Sequence, residues 1–215
     1  YALTLARSRS TPTEAAHSDV TEVVTEWFGT PDSPRWPDQF AAALPDVDLK
    51  RIQRAAGPFS SEKDGTHVGL YREHCVICHG LSGSGAGPAS QVQNPYPRDF
   101  RHGVFKWKST PRGDKPTRDD LRQLLMRGVP GAAMPSFAQQ TTDDVDAWLD
   151  YTIYLSARGE VERRLTAAAI DELDYGESPP DDDLRLNQAG EGLEVVGEVV
   201  SRVAASWGAA KPVPV

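Results

Sequence analysis

The sequence predicts a mostly α-helical protein whose helices are joined by long irregular segments. Apolar residues recur at three- and four-residue spacing in several stretches, and no alternating run is long enough to indicate a sheet. The 17 prolines and 18 glycines punctuate the rest of the 215-residue chain. We therefore expect an all-α fold: one domain, residues 60–159, between an N-terminal extension, 1–59, and a C-terminal extension, 160–215.

The N-terminal extension predicts one short helix followed by an extended strap. Residues Asp19–Phe28 have amphipathic helical spacing, whereas prolines interrupt residues 31–45 repeatedly. Large aromatic side chains are costly to expose to water. We therefore expect Trp27, Phe28 and Trp36 to pack against the domain that follows.

The central segment predicts three helices joined by irregular loops. The first runs over Asp64–Cys78, and the second begins at a capping box, Thr117–Asp120, and stops at Gly128. The third carries an apolar face over Val145–Leu155 and is expected to end near Gly159. A long stretch rich in glycine and proline separates the first two helices and predicts a wrapping segment.

The C-terminal extension predicts two further helices. Glu160–Leu173 and Glu191–Trp207 have helical spacing, and the acidic segment Glu177–Asp183, with two prolines, separates them. We therefore expect a helical, acidic appendage to the central domain.

Charge is unevenly distributed along the chain. The formal net charge is −8, and the C-terminal extension carries most of it, with 12 acidic residues against 5 basic ones. Between Arg98 and Arg127, nine Lys and Arg residues stand against four Asp. The negative net charge argues against nucleic acid as a partner, and the basic stretch predicts a local cationic surface that meets an acidic protein.

No stretch of the sequence approaches the roughly 18 consecutive apolar residues of a membrane span. The chain begins at Tyr1, and its first residues lack the charged and apolar segments of a signal peptide. We expect from this that a signal peptide or a membrane anchor has been removed.

Both cysteines of the chain lie in the segment EHCVICHG, residues 73–80. The pattern CxxCH is the attachment signature of c-type haem, in which two thiols add to the vinyl groups and the histidine binds the iron. Cysteines three positions apart at a helix end lie on nearly the same face, which suits the separation of the two vinyl groups. We expect Cys75, Cys78 and His79 to hold one covalent haem c.

A redox-active dithiol and half of a zinc site are the other chemistries that a CxxC pair supports. A thioredoxin-type dithiol needs a βαβ context, which this chain does not predict, and tetrahedral zinc needs about four N or S ligands. A disulfide between Cys75 and Cys78 would close too small a ring to stabilise the fold. Haem attachment therefore accounts for the motif best.

An electron-carrying haem needs a second axial ligand, and a thioether suits soft Fe(II). The chain has two methionines. Met126 lies within a predicted helix, where we expect it to pack in the core, whereas Met134 lies in a Gly-Ala-Ala-Met-Pro loop whose small residues admit a flat macrocycle. We expect Met134 to be the ligand, with His102 as the competing candidate among the other histidines.

Residues 60–159 resemble class I cytochromes c. Four features carry the resemblance: Tyr71 four positions before the first cysteine, the GSGAGP loop ending at Pro88, the GAAMPSF segment with Met134, and the aromatic helix DAWLDYTIYLS. The stretches NPYPRDF and FKWKSTPRGDKPTRDDL are similar to segments of membrane-complex and oxidase-associated bacterial cytochromes c.

The resemblance implies that the first and last helices of the domain cross beside the haem. Residues 64–78 and 143–156 would fill these roles, with Tyr71 and Tyr151 at or near the crossing. The family often has glycine four positions before the aromatic residue, but His67 stands there and Gly69 follows it. We therefore expect a crossing that is shifted or looser than in the family.

The resemblance also implies roles for residues around the haem. The carbonyl of Pro88 would accept a hydrogen bond from the second ring nitrogen of His79 and so orient the imidazole. Side chains that could meet the haem propionates are Arg98, Arg101, Trp107 and Lys108.

These observations predict a c-type cytochrome that carries one electron at a time in a respiratory chain and has no catalytic residues. We expect redox partners, an oxidase or a quinol-oxidising complex, to dock at the exposed haem edge. The resemblance implies the periplasm or the outer face of the cytoplasmic membrane. The alternatives are a haem subunit of a larger redox complex, and a haem enzyme or gas sensor with a labile sixth ligand.

Overall fold

The computed structural model describes residues 13–57, 69–176 and 180–213. The α-helices of the described residues are α1 Glu14–Phe28, α2 Asp38–Ala43, α3 Leu49–Ala55, α4 Leu70–His74, α5 Val76–His79, α6 Arg118–Arg127, α7 Thr142–Asp171 and α8 Glu191–Gly208. A short antiparallel hairpin pairs β1 Gly29–Thr30 with β2 Ser33–Pro34. Three 3₁₀ helices cover Pro88–Val92, Phe100–His102 and Asp182–Leu184. The predicted all-α class is confirmed.

Helix α7 runs through the centre of the molecule and contacts α1, α3, α4, α6 and α8. The prediction that this helix ends near Gly159 is wrong, because α7 continues unbroken to Asp171. Gly159 is explained by packing instead: a Cβ at this position would lie 2.5 Å from the Cβ of Arg101. Glycine therefore lets the 3₁₀ helix Phe100–His102 cross α7 closely, rather than ending the helix.

The N-terminal extension is more helical than predicted. Its expected strap, residues 31–45, contains α2, and α3 follows the strap. The side chain of Asp48 caps α3 by accepting from the backbone of Lys50 and Arg51. Phe28 is fully buried, as expected, and its carbonyl accepts a hydrogen bond of 3.0 Å from the hydroxyl of Tyr154 on α7. Trp27 and Trp36 are half-buried against the core.

The C-terminal extension supplies the last part of α7 and the whole of α8, which begins and ends close to the predicted positions. Asp19 of α1 is 1% exposed and accepts from Arg185 at 2.7 and 2.9 Å and from the Tyr175 hydroxyl at 2.8 Å. The buried apolar residues of both extensions and of the central segment form one continuous core.

The helix that leads to the CxxCH motif is split at Cys75 into α4 and α5. Its predicted start, including His67, lies outside the described residues. Tyr71 packs on Tyr151 of α7 with ring centroids 4.9 Å apart, as expected for the helix crossing. Gly69 does not serve that crossing: a Cβ there would meet the carbonyl oxygens of Ala56 and Gly57, so glycine lets α4 approach the end of α3.

None of the helices in the described ranges is both long enough and apolar enough to cross a lipid bilayer.

Candidate functional site

A cavity of about 270 Å³ lies between α5, α6, α7 and the loops that follow α5 and α6. Cys75, Cys78 and His79 line one part of it, and Met134 lines another. The structure therefore brings together the four residues that the sequence singled out. Most of the remaining lining is apolar or aromatic and includes Phe100, Phe105, Leu121, Leu125, Phe137 and Leu149.

The imidazole of His79 is held by a backbone carbonyl and an aromatic ring. Its Nδ1 lies 3.2 Å from the carbonyl oxygen of Arg98, and its ring stacks on Phe100 with centroids 4.4 Å apart. With its hydrogen on Nδ1 donated to that carbonyl, the ring leaves Nε2 free to bind a metal. Burial lowers the pKa of His79, which the hydrogen bond to Arg98 partly offsets, so the neutral ring is favoured.

The expected role of Pro88 is corrected by this geometry. Pro88 is exposed and opens a 3₁₀ helix, so its carbonyl points along that helix to the residues that follow. The carbonyl of Arg98 occupies the predicted position beside His79. The sequence made the side chain of Arg98 a candidate for contact with the haem propionates. The role of its backbone carbonyl beside His79 had no signal in the sequence.

The thiol of Cys75 lacks the lowered pKa that the attacking thiol of a redox-active pair needs. Burial, followed by the nearby Cys78, raises the pKa of Cys75 to about 12, so its thiol is protonated at neutral pH. The side chain of Gln93 donates to Cys78 Sγ at 3.1 Å. Nowhere in the described part of the chain do three or more His, Cys, Asp or Glu side chains form a group that could hold a metal ion.

The Met134 loop is tied to the end of α6 by three hydrogen bonds. Val129 N–H donates to the carbonyl of Met134 at 3.1 Å, Phe137 N–H to that of Leu125 at 2.9 Å, and the Ser136 hydroxyl to that of Met126 at 2.6 Å. The predicted capping box of Thr117 and Asp120 is present, so both ends of this helix match the sequence.

The other methionine does not pack as expected. Met126 is 36% exposed and does not line the cavity, because it lies on the outer side of α6. His102 does not line the cavity either; its ring lies near Asp99 on the surface.

The candidates for the propionates divide into two groups. Arg98 and Trp107 line the cavity, and Trp107 is 64% exposed at its edge. Arg101 instead forms an ion pair with Asp99, and Lys108 donates to Thr110. Neither of these two side chains lines the cavity.

The cationic segment is less charged at the surface than its sequence suggests. Four of its nine basic residues are in ion pairs within the described structure: Arg101, Lys115, Arg118 and Arg122. Lys115 is buried against Glu160 with its Nζ 2.5 Å from Oε2. Among the rest, Arg98 and Lys106 line the cavity.

Several lining residues were missed by sequence reasoning: Gln93, Tyr96, Phe100, Phe105 and Lys106. Four of them lie in the two aromatic-rich stretches between residues 95 and 107, which are their signal in the sequence, whereas Gln93 lies before these stretches and has no such signal.

The donor set fits a covalently attached haem. Two thiols, an imidazole whose pKa is lowered and a thioether share one largely apolar cavity. Thiols provide attachment, and the nitrogen and sulfur atoms suit haem iron.

The match to a protein-family model agrees with this chemistry. Residues 65–151 match a family model described as cytochrome c oxidase, cbb3-type, subunit III. A structure of the Kuenenia stuttgartiensis reducing HAO-like protein complex Kustc0457/Kustc0458 matches with 27% identity and a TM-score of 0.40. The match covers 57% of this chain and 49% of that one, so the chain spans about half the length of this relative. A search of curated proteins found no match.

Proposed function

We propose that the chain is a one-electron carrier with a single covalent haem c, built on a class I c-type cytochrome domain that includes the matched residues 65–151. The observation that carries this proposal is the convergence of Cys75, Cys78, His79 and Met134 on one cavity. A domain of this family binds haem covalently, and the sequence contains one CxxCH motif.

Each residue of the site has a distinct task. Cys75 and Cys78 would hold the haem covalently, and the imidazole of His79 and the thioether of Met134 would bind its iron. When bound, haem supplies an iron that alternates between ferric and ferrous states. The Arg98 carbonyl keeps the His79 ring oriented, and the apolar lining excludes water from most of the cavity.

The mouth of the cavity is the docking surface for redox partners in this proposal. Tyr96 and Trp107 are 67% and 64% exposed there, beside Arg98 and Lys106. Exposed aromatic rings beside cations that form no ion pair with any described residue favour a transient contact with an acidic protein surface. Covalent haem proteins of this family are typically exported, so we place the protein in the periplasm or on the outer face of the cytoplasmic membrane, in a respiratory chain.

A subunit of a terminal oxidase is the second candidate, and the family model favours it. In that case the same haem would pass electrons within a stable complex. Copurification with membrane-bound oxidase subunits at high ionic strength would support this candidate, whereas a free protein would support the shuttle.

The ligand set can be tested with the two methionines of the chain. Intact mass should exceed the 23.4 kDa polypeptide by one haem. The ferric protein should show the weak red absorption band of a methionine-ligated haem. Met134→Ala should abolish this band and admit CO to the ferrous protein at once, whereas Met126→Ala should leave the spectrum unchanged. A band that survives Met134→Ala would overturn the assignment.

A further inference from the structure

A buried carboxylate lies at the meeting point of α3, α6 and α7. Asp150 of α7 is fully buried. Its Oδ2 accepts from the backbone N–H of Asp48 at 3.0 Å and from Arg51 Nε at 2.6 Å. Its Oδ1 accepts from Arg118 Nε at 3.0 Å and Nη2 at 2.9 Å. A buried charge needs such complete pairing, since losing a partner is strongly unfavourable.

Arg118 is the first residue of α6, the helix that precedes the Met134 loop. It also pairs with Asp146 at 2.7 Å, and Arg122, one turn later, pairs with the same carboxylate. Both arginines therefore hold α6 against α7. The other end of α6 is bonded to the Met134 loop, so the helix and the loop form one unit.

Apolar packing alone gives α6 little support. Leu121 and Leu125 are its two buried residues, and both line the haem cavity. Helices α3 and α6 make at most marginal direct contact, and a cleft of about 800 Å³ lined by Arg51, Arg118 and Arg122 opens beside them. The connection from the N-terminal extension to α6 therefore runs through Asp150.

We propose that the Asp150 carboxylate, held by Arg51 and Arg118, is a positioning group that keeps Met134 at the haem. The N-terminal extension, through Arg51, thereby stabilises the methionine ligand. This inference rests on the proposed function, because it assigns Met134 that role. Asp150 touches neither the cavity nor its ligands and acts through α6.

The test is the ease with which free imidazole displaces the methionine from the ferric holoprotein. Arg51→Ala should bind imidazole about tenfold more tightly than the parent protein, and Arg118→Ala at least as tightly, because weakened coupling favours the open loop. Arg118→Lys should bind imidazole less tightly than Arg118→Ala but more tightly than the parent protein, since lysine keeps the charge but not the two parallel hydrogen bonds.

Arg54→Ala is the matched control. Arg54 lies on α3 as Arg51 does and pairs with Asp144 on α7, but it does not contact Asp150. This variant should bind imidazole as the parent does. Arg51→Gln, which keeps a donor near Asp150, replaces Arg51→Ala if the alanine variant does not retain haem. Equal affinities for the Arg51 and Arg54 variants would overturn the proposal.

Hydrogen exchange separates this inference from the proposed function. In Arg51→Ala, amides of α6 and of residues 129–137 should exchange faster, with those of α8 unchanged. If the parent protein lacks the methionine band, the ligand assignment fails, yet the exchange result still decides whether Asp150 holds α6. Unchanged exchange in α6 would overturn the inference even where the band is present.

Discussion

At the scale of single residues, the structure gives the packing and hydrogen-bonding roles of residues for which the sequence shows only the residue type. The CxxCH motif and the loop around Met134 could be read directly, because spacing and neighbouring small residues carry that information. Pro88 and Gly159 were misread, since a carbonyl direction and a close helix approach depend on which distant segment packs there. Arg98 contributes its backbone to the site, and the backbone has no signature in a sequence.

Gly159 provides a prediction at this scale. Replacing a glycine within a helix by alanine usually stabilises the helix. At position 159, however, the added Cβ would overlap the side chain of Arg101. We expect Gly159→Ala to lower the free energy of unfolding by about 1–3 kcal/mol, measured by chemical denaturation of the holoprotein.

Gly197 of α8 is the matched control, because a Cβ there meets nothing within 4 Å. Gly197→Ala should raise the free energy of unfolding by about 0.5–1 kcal/mol. Equal effects of the two substitutions would contradict the packing explanation for Gly159.

At the scale of elements, helix boundaries with local chemical signals were predictable and boundaries set by tertiary contacts were not. The start of α6 followed from its capping box, and the bounds of α8 followed from the helical spacing of its apolar residues. Helix α2 was missed because Pro37 stands just before this helix and does not break it. Helix α3 was missed although Asp48, a residue type favoured at helix starts, caps it.

Asp19, which links α1 to the C-terminal extension, provides a pH-dependent prediction. Burial raises the pKa of Asp19, but hydrogen bonds from Arg185 and Tyr175 more than offset this and hold it below 3.8. The carboxylate therefore stabilises the fold fully above pH 3.8 and loses this effect as the pH falls through its folded-state pKa.

We expect Asp19→Asn to cost about 2 kcal/mol at neutral pH, and the difference from the parent protein to shrink in acid. Denaturation at a series of pH values checks this. Glu22 lies on the same helix as Asp19 and accepts an exposed hydrogen bond from the side chain of Asn187. Glu22→Gln should change the free energy of unfolding much less than Asp19→Asn does. A difference that is constant down to strong acid would contradict the role of the carboxylate.

The pair of Lys115 and Glu160 tests how the wrapping segment is held on α7. Both side chains are buried, and Lys115 Nζ also donates to the Gly103 carbonyl at 3.0 Å. Glu160 also accepts from Arg164 at 2.9 Å, but Arg164 is half-exposed to water, whereas the buried Lys115 would lose its counter-charge. We therefore expect Glu160→Gln to cost about 3–5 kcal/mol. The double variant Lys115→Met with Glu160→Met should lose less free energy of unfolding than Glu160→Gln does. Thermal and chemical unfolding measure this difference. A larger loss in the double variant would show that the pair itself is strongly stabilising.

At the scale of the whole molecule, the sequence indicated a haem domain with two appendages, whereas the structure has one core that includes all three. Composition and charge change sharply near residue 160, and that change suggested a boundary. A change in composition and charge along the sequence mainly reflects which residues lie at the protein surface. The continuity of its interior depends on buried contacts between distant segments, as Leu165 and Leu173 show beyond the expected boundary.

This shared core predicts cooperative unfolding. The absorbance of the haem and the far-ultraviolet circular dichroism of the helices should change at the same denaturant concentration. Removal of residues 160–215 should prevent stable folding, because it cuts α7 and deletes buried side chains. Two separate transitions, or a stable truncated protein that binds haem, would contradict a single core.

The unbroken length of α7 limits how the protein can change over evolution. At 30 residues the helix is about 45 Å long. Adding or deleting one residue near its middle would rotate everything beyond by about 100°. Every partner of the second half would then face the wrong side chains. Length changes should therefore accumulate in the connecting loops among relatives, while the number of residues between Trp148 and Leu165 stays constant.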